Sequence, residues 1–202
     1  MTDQRPYAAL LAKGEDRRQR ILAAAQRLLM RNGSRGTTLG QIAQEAGISA
    51  AGLLHHFESK EQLLHAVLDA RDDNDLANLD ASGDILEQLK TVPERYERAS
   101  GLIGTFIVLL TENLDPAASL HGRFLSRYQF AVDFIAEGIR RGQRAGRYRA
   151  DVDPIHKARE IIAFLYGMET SWLLDPSISP SDVIHEYCDS LARQLVLSSS
   201  TS

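Results

Sequence analysis

Two adjacent histidines, His55 and His56, close the segment "SAAGLLHHF", and they are the first residues whose types raise the question of chemistry. A metal site needs ligands that converge on one ion. Neighbours on a helix point about 100° apart, and His65 lies ten residues past His55, on the next helix. The six histidines are scattered. The single cysteine, Cys188, excludes an internal disulfide and any multi-cysteine metal centre. The chain carries no glycine-rich phosphate loop, no nucleophile elbow and no helix-borne carboxylate pair with a clear partner. No metal, no cofactor and no catalytic residue is therefore expected. The imidazoles then read either as ordinary surface or partly buried side chains, or as part of a grip on a polyanion.

The elements that must position them read as helices almost throughout. "EDRRQRILAAAQRLLMRNG" gathers Ile21, Ala25, Leu28 and Leu29 on one face, with Glu15 and Asp16 in the first turn and Gly33 past the end. "TTLGQIAQEAG" opens with Thr38 and Gln41 at capping-box spacing and stops at Gly47. "SAAGLLHHF" follows from Ser49 as an N-cap. "SKEQLLHAVLDARDDNDLANL" repeats the box with Ser59 and Gln62. Further on, the spacing predicts helices over 84–91 and from Pro93 to about Glu112. Others are expected after the Asp115–Pro116, Asp153–Pro154 and Ser179–Pro180 pairs. The expectation is an all-α protein of about nine helices, without strand alternation or repeats.

Two short helices joined at Gly47, with Ile48 dropping into the core, form a helix-turn-helix. Ile42, Ala43, Ile48, Leu53 and Phe57 supply the apolar contacts that fix the angle between them, and Ala43 stays small where the helices cross. The second helix then offers its leading residues to a DNA major groove. Small side chains at Ala50, Ala51 and Gly52 permit close approach to base edges. His55 and His56, one turn on, are placed to donate to phosphates, and Lys60 sits in the first turn of the next helix. Thr38 and Ser49 are helix caps whatever else they do. Arg17, Arg18 and Arg20 are read as a solvated face ahead of a minor-groove arm.

Charge is divided unevenly. Residues 1–68 hold nine Lys/Arg against six Asp/Glu, and the remainder holds 14 against 21. A basic first third ahead of an acidic body fits a polyanion-facing module followed by a part with another task. No apolar run is long enough to span a bilayer, and the N-terminus has no export-signal pattern, so a cytoplasmic protein is expected.

Residues 17–68 resemble the DNA-binding domain of the tetracycline-repressor (TetR/AcrR-like) family of bacterial transcription regulators. The carrying stretches are "RILAAAQRLLMRNG", "TTLGQIAQEAGIS" and "LLHHFESKEQLLHAVL". The resemblance implies that Thr38, the helix from Ser49 (with Ala50, Ala51, Gly52 and His55), His56 and Lys60 face double-stranded operator DNA. It also implies a homodimer and a C-terminal domain that binds an unidentified small-molecule effector. A repressor released from an inverted-repeat operator is the family's usual behaviour. This chain departs from the family pattern in having Leu54 where a phosphate-contacting tyrosine is common, and Ala51 where glycine is common.

The expected organisation is an N-terminal arm over 1–14, a helix-turn-helix domain over 15–62, and a ligand-binding and dimerisation domain over 63–202. The last two helices are apolar over too wide an arc for a surface helix, so both their own core and a second copy should cover them. Ile161, Leu165, Met168, Ile184, Cys188 and Leu191 are the expected interface residues. Phe106, Phe124, Tyr128 and Trp172 are expected to line a ligand pocket, with Phe130, Phe134 and Tyr166 on the same helices. Aromatics at helical spacing equally fit simple core. Two rivals stay open: an all-helical enzyme, and a regulator that senses a partner protein.

Overall fold

The computed structural model describes residues 5–76, 80, 82–94, 96 and 99–196, with side chains from Gly14 onward, Asn74 and Leu76 excepted. Among the described residues there are nine helices, no strand, and one isolated bridge between Tyr148 and Val196. The helices are α1 (Arg5–Asn32), α2 (Leu39–Glu45), α3 (Ala50–His56), α4 (Lys60–Leu76) and α5 (Ile85–Lys90). They continue with α6 (Ser100–Glu112), α7 (His121–Arg144), α8 (Pro154–Leu174) and α9 (Pro180–Leu195).

The capping signals act as their chemistry requires. Thr38 and Gln41 form the full reciprocal box at the start of α2. Ser49, Asp84, Asp153 and Ser179 each accept a backbone N–H from the first turn of α3, α5, α8 and α9. Before α4 the box is rearranged. Ser59 Oγ accepts the Gln62 N–H at 3.1 Å, while the Gln62 side chain accepts from Glu58 rather than from Ser59.

Three boundaries differ from expectation. α1 starts at Arg5, so residues 5–14 are helical and not an arm; Pro6 suits a first turn and Ala8 to Leu11 are strong helix formers. Residues 1–4 and the side chains of Arg5 and Lys13 lie outside the described residues. The helix expected from Pro93 to about Glu112 is not continuous: Glu94 and Tyr96 are helical, Ala99 is not, and α6 begins at Ser100. Tyr96 is buried edge-on against Trp172 with ring centroids 5.1 Å apart. At Asp115–Pro116 there is a turn, not a helix start, and α7 begins at His121. The Asp115 carboxylate accepts the Ala117 N–H at 2.9 Å, a local bond that competes with helix.

Two apolar clusters organise the helices. The first joins α1 to α4 with Phe106, Ile107 and Leu109 of α6 and the start of α7. The second joins α5, the rest of α7, α8 and α9. The boundary expected at residue 62 falls inside α4. Leu63, Leu64, Val67 and Leu68 of that helix belong to the first cluster, and its last turns carry charges that reach α7 and α8.

The expected interface residues are corrected by the second cluster. Ile161, Met168, Ile184, Cys188 and Leu191 are each buried in the chain's own core, and Leu165 is half-buried beside a cavity. α8 and α9 use their wide apolar arc on each other, α5 and α7. Their outer surface carries Ala163, Gly167, Thr170, Leu174 and Val183 instead.

The loop between α1 and α2 is held from two sides. Gly33 adopts φ 68°, the left-handed conformation that ends α1. The next residue, Ser34, donates its N–H to both carboxylate oxygens of Glu112 on α6, at 2.9 and 3.1 Å. A methyl group at Gly33 would meet that carboxylate as well as the unfavourable φ. Gly33→Ala is expected to cost about 1–2 kcal/mol, lowering the thermal midpoint by roughly 2–8 °C. A melt that matches the unmodified protein would show that the loop is not fixed this way.

Candidate nucleic-acid interface and interior cavity

α2 and α3 meet in a tight turn that the sequence builds locally. Gly47 adopts φ 69°, its N–H donates to the Gln44 carbonyl, and the Ile48 N–H donates to the Ala43 carbonyl at 3.0 Å. This is the paired closure of a Schellman motif, and it turns Ile48 back onto the core. Ala43 is buried at the crossing. Leu53 on α3 and Phe57, the residue that caps its C-terminus, are buried with at most 1% exposure. Helical geometry then sends the intervening positions outward: Ser49, Ala50, Ala51, Leu54 and His55 are exposed, and Gly52 and His56 half-buried. Leu54 is 47% exposed, which seats it on the protruding face and not against a neighbouring helix.

The charges around this tip are arranged in two groups. Arg17 and Arg18 of α1 lie close enough to His56 that both, with His55, push its pKa down, behind the larger effect of its partial burial. Arg18 also stacks 5.2 Å from the centre of the Phe57 ring. Of the three arginines read as a solvated face, Arg17 and Arg18 thus border the histidine pair, a closeness that spacing within α1 could not reveal, while Arg20 pairs with Asp16. Lys60 stands elsewhere: half-buried, its ammonium donates to the Ser34 carbonyl. Thr38 is exposed, and its hydroxyl and N–H both donate to Gln41 Oε1, at 3.0 and 2.8 Å. Arg27 and Glu45 pair at 3.0 Å and tie α1 to α2. Among the described residues no group of His, Cys, Asp or Glu is placed to hold a metal ion.

A second feature lies inside the body, where α4, α5, α7 and α8 enclose a cavity of about 150 Å³. Ile85, Leu89, Phe134, Ile135, Ile162 and Leu165 make its apolar walls, and Phe130, 53% exposed, stands at its rim. Arg71, Asp75, Arg127, Glu169, Gln88 and Tyr166 bring polar groups to it. Arg71 Nη2 donates to Glu169 Oε1 at 2.8 Å, and its guanidinium lies 3.6 Å from the centre of the Phe106 ring. Arg127 donates to Asp72 and Asp75. Burial, first, holds the Tyr166 hydroxyl above its ordinary pKa, so it stays protonated at neutral pH.

Phe106, Phe124, Tyr128 and Trp172, expected to line a pocket, do not line this one. Phe106 packs edge-on to Phe124 at 5.5 Å and against Tyr166 at 5.6 Å, behind Arg71. Trp172 is taken up by Tyr96. Tyr128 packs on the second core cluster. Glu169, which could equally meet a ligand or face water on sequence alone, lines the cavity. The α4 charges Arg71 and Asp75 were not legible there, because "DARDDNDL" reads as a solvated run and their partners stand 52 to 98 residues away.

The family model described as "Bacterial regulatory proteins, tetR family" matches residues 21–67, which span α1's second half to the middle of α4. The chain is 29% identical over 149 residues to the HTH-type transcriptional repressor AcnR of Corynebacterium diphtheriae, covering 72% of this chain and 76% of that one. Its fold is similar to that of NalD, the secondary repressor of the MexAB-OprM multidrug efflux pump in Pseudomonas aeruginosa. That match has a TM-score of 0.75 and 21% identity, over 92% of this chain and 98% of NalD. AibR, solved in complex with isovaleryl coenzyme A and operator DNA, is similar with a TM-score of 0.69 and 22% identity. Here 86% of this chain and 97% of AibR are covered.

The His56 surroundings set a sign that titration can read. Its folded pKa lies below the ordinary 6.5, so as pH falls the unfolded chain takes up a proton first. Stability from this group is therefore lost on the acid side of 6.5. A proton NMR titration should place the His56 midpoint below 6.5, and Arg17→Ala with Arg18→Ala should move it upward. A midpoint at or above 6.5 would contradict the arrangement.

Proposed function

We propose that this chain, which belongs to the tetR family of bacterial regulatory proteins and is a DNA-binding transcriptional regulator, acts as a homodimeric repressor released from an inverted-repeat operator by a small molecule. The observation that carries the DNA-facing part is the exposed stripe on α3, held out by buried Leu53 and Phe57. Ala50, Ala51 and Gly52 lead into the major groove with Ser49, and Leu54 brings an apolar contact for a thymine methyl. His55, His56 and the neighbouring Arg17 and Arg18 meet phosphates on one side; Thr38 and Lys60 meet them on the other.

The dimer forms through the outer surfaces of α8 and α9, where small residues such as Ala163 and Gly167 allow close approach. A two-fold axis there sets the two recognition helices roughly 34–36 Å apart, or a multiple of that, to meet successive grooves.

The effector occupies the cavity, and α4 carries its influence. Arg71 and Asp75 at one end of α4 line the cavity. Lys60 at the other end holds the Ser34 carbonyl, whose N–H side is held by Glu112. A ligand that shifts α4 shifts the seat of α2 and α3 together. Ligand and operator then oppose one another through one equilibrium, with a coupling of about 1–3 kcal/mol. The cavity favours a small molecule over a partner protein as the signal.

Duplex binding across salt concentrations tests the reading. With DNA flanking the chain's own coding region, log affinity should fall linearly with log salt, losing about 0.9 of slope per phosphate contact. Lys60→Ala should weaken binding and reduce the slope by about 1. A response that is flat in salt would overturn the DNA assignment, and an unchanged slope in the variant would confine Lys60 to the Ser34 clamp.

A further inference from the structure

The polar end of the cavity has an unusual balance. Two arginines and two carboxylates line it, so its charges cancel. They are nonetheless incompletely bonded. Arg71 Nη1 and Glu169 Oε2, the second arms of the buried pair, have no hydrogen-bond partner in the protein. Gln88, across on α5, leaves both Nε2 and Oε1 in the same condition. The sites lacking a partner are therefore two donors and two acceptors. Arg71 and Glu169 are 5% and 2% exposed, so these arms cannot simply turn to bulk water.

We infer that the cavity selects an uncharged ligand of carboxamide type, an apolar body ending in a group that donates and accepts hydrogen bonds side by side. The inference rests on the effector reading above and narrows it to a chemical class. A carboxylate ligand would satisfy Arg71 Nη1 but set its charge beside Glu169 and Asp75. A cation would satisfy Glu169 Oε2 but face Arg71 and Arg127. Either adds an uncompensated charge to a balanced, buried set, which is costly. A ligand that only accepts leaves Glu169 Oε2 buried without a donor, and a desolvated polar atom without a partner weakens binding. An amide meets both arms at no charge, while Phe134, Ile162 and Leu165 cover its apolar body.

Four probes of nearly equal shape separate these cases: benzamide, benzoate, benzamidinium and acetophenone, titrated into the full chain by ligand-observed NMR. Benzamide should bind best, with benzoate and benzamidinium at least tenfold weaker and acetophenone severalfold weaker. Gln88→Leu should weaken benzamide severalfold. Replacing the pair together, Arg71→Met with Glu169→Met, should abolish the preference for the amide in a chain whose circular dichroism is unchanged. Leu165→Trp, which fills the cavity, should remove binding of all four. Tighter binding of either ion, equal binding of all four, or no binding by any of them overturns the inference. Its failure is distinguishable from failure of the effector reading, which is judged by whether a cavity-bound compound loosens the operator complex. Equal probe affinities with operator release would discard only the chemical class, and amide selectivity without release would discard only the regulatory role.

Discussion

α4 is a single helix with two chemistries along its length, and with α6 it joins the two halves of the molecule. Its first turns are apolar, with Leu63 and Val67 buried among α1, α2 and α3. Its last turns are charged, with Arg71, Asp72 and Asp75 paired to α7 and α8. Apolar contacts tolerate little change in spacing because the interior is closely packed. Buried ion pairs contribute little net stability but penalise any arrangement that separates them. The helix is thus anchored at one end by packing and at the other by direction-sensitive pairs. A small change at the charged end has no soft segment in which to dissipate before it reaches the helix-turn-helix.

The DNA-facing module was largely legible in the sequence because its determinants are local. A capping box, a glycine at the elbow and apolar residues at helical spacing lie within 25 residues of each other, and each acts on its neighbours. Ser49 caps α3, Gly47 takes the left-handed turn, and Phe57 is buried as its spacing predicts. Helix starts at Pro pairs succeeded where nothing nearby competed, as at Asp153, and failed at Asp115, whose carboxylate closes a turn on itself. The body was legible only as helix. Which aromatics face a cavity depends on pairings such as Phe106 with Phe124, and which charges are buried depends on partners brought together by the fold. An apolar arc on α8 and α9 states how much must be covered, not by what; here other helices of the same chain cover most of it.

The two sites differ in how they tolerate change. The α3 tip is built from small exposed side chains on a buried support, so its surface can vary while its position is held by Leu53 and Phe57. The cavity is the reverse: its charged members are themselves structural ties between α4, α7 and α8. A substitution there alters recognition and the coupling between the halves at once, so the two cannot be tuned independently.

Cys188 is the chain's sole thiol, and it is buried 1% exposed in the second core cluster, where burial also raises its pKa. Thiolate is the reactive form, so maleimide dyes and spin labels should pass it by without its removal. A cysteine placed at an exposed position such as Gln44 would then be the single point of attachment. That makes the surroundings of α2, beside the exposed face of α3, open to a single spectroscopic reporter, with the native core left untouched.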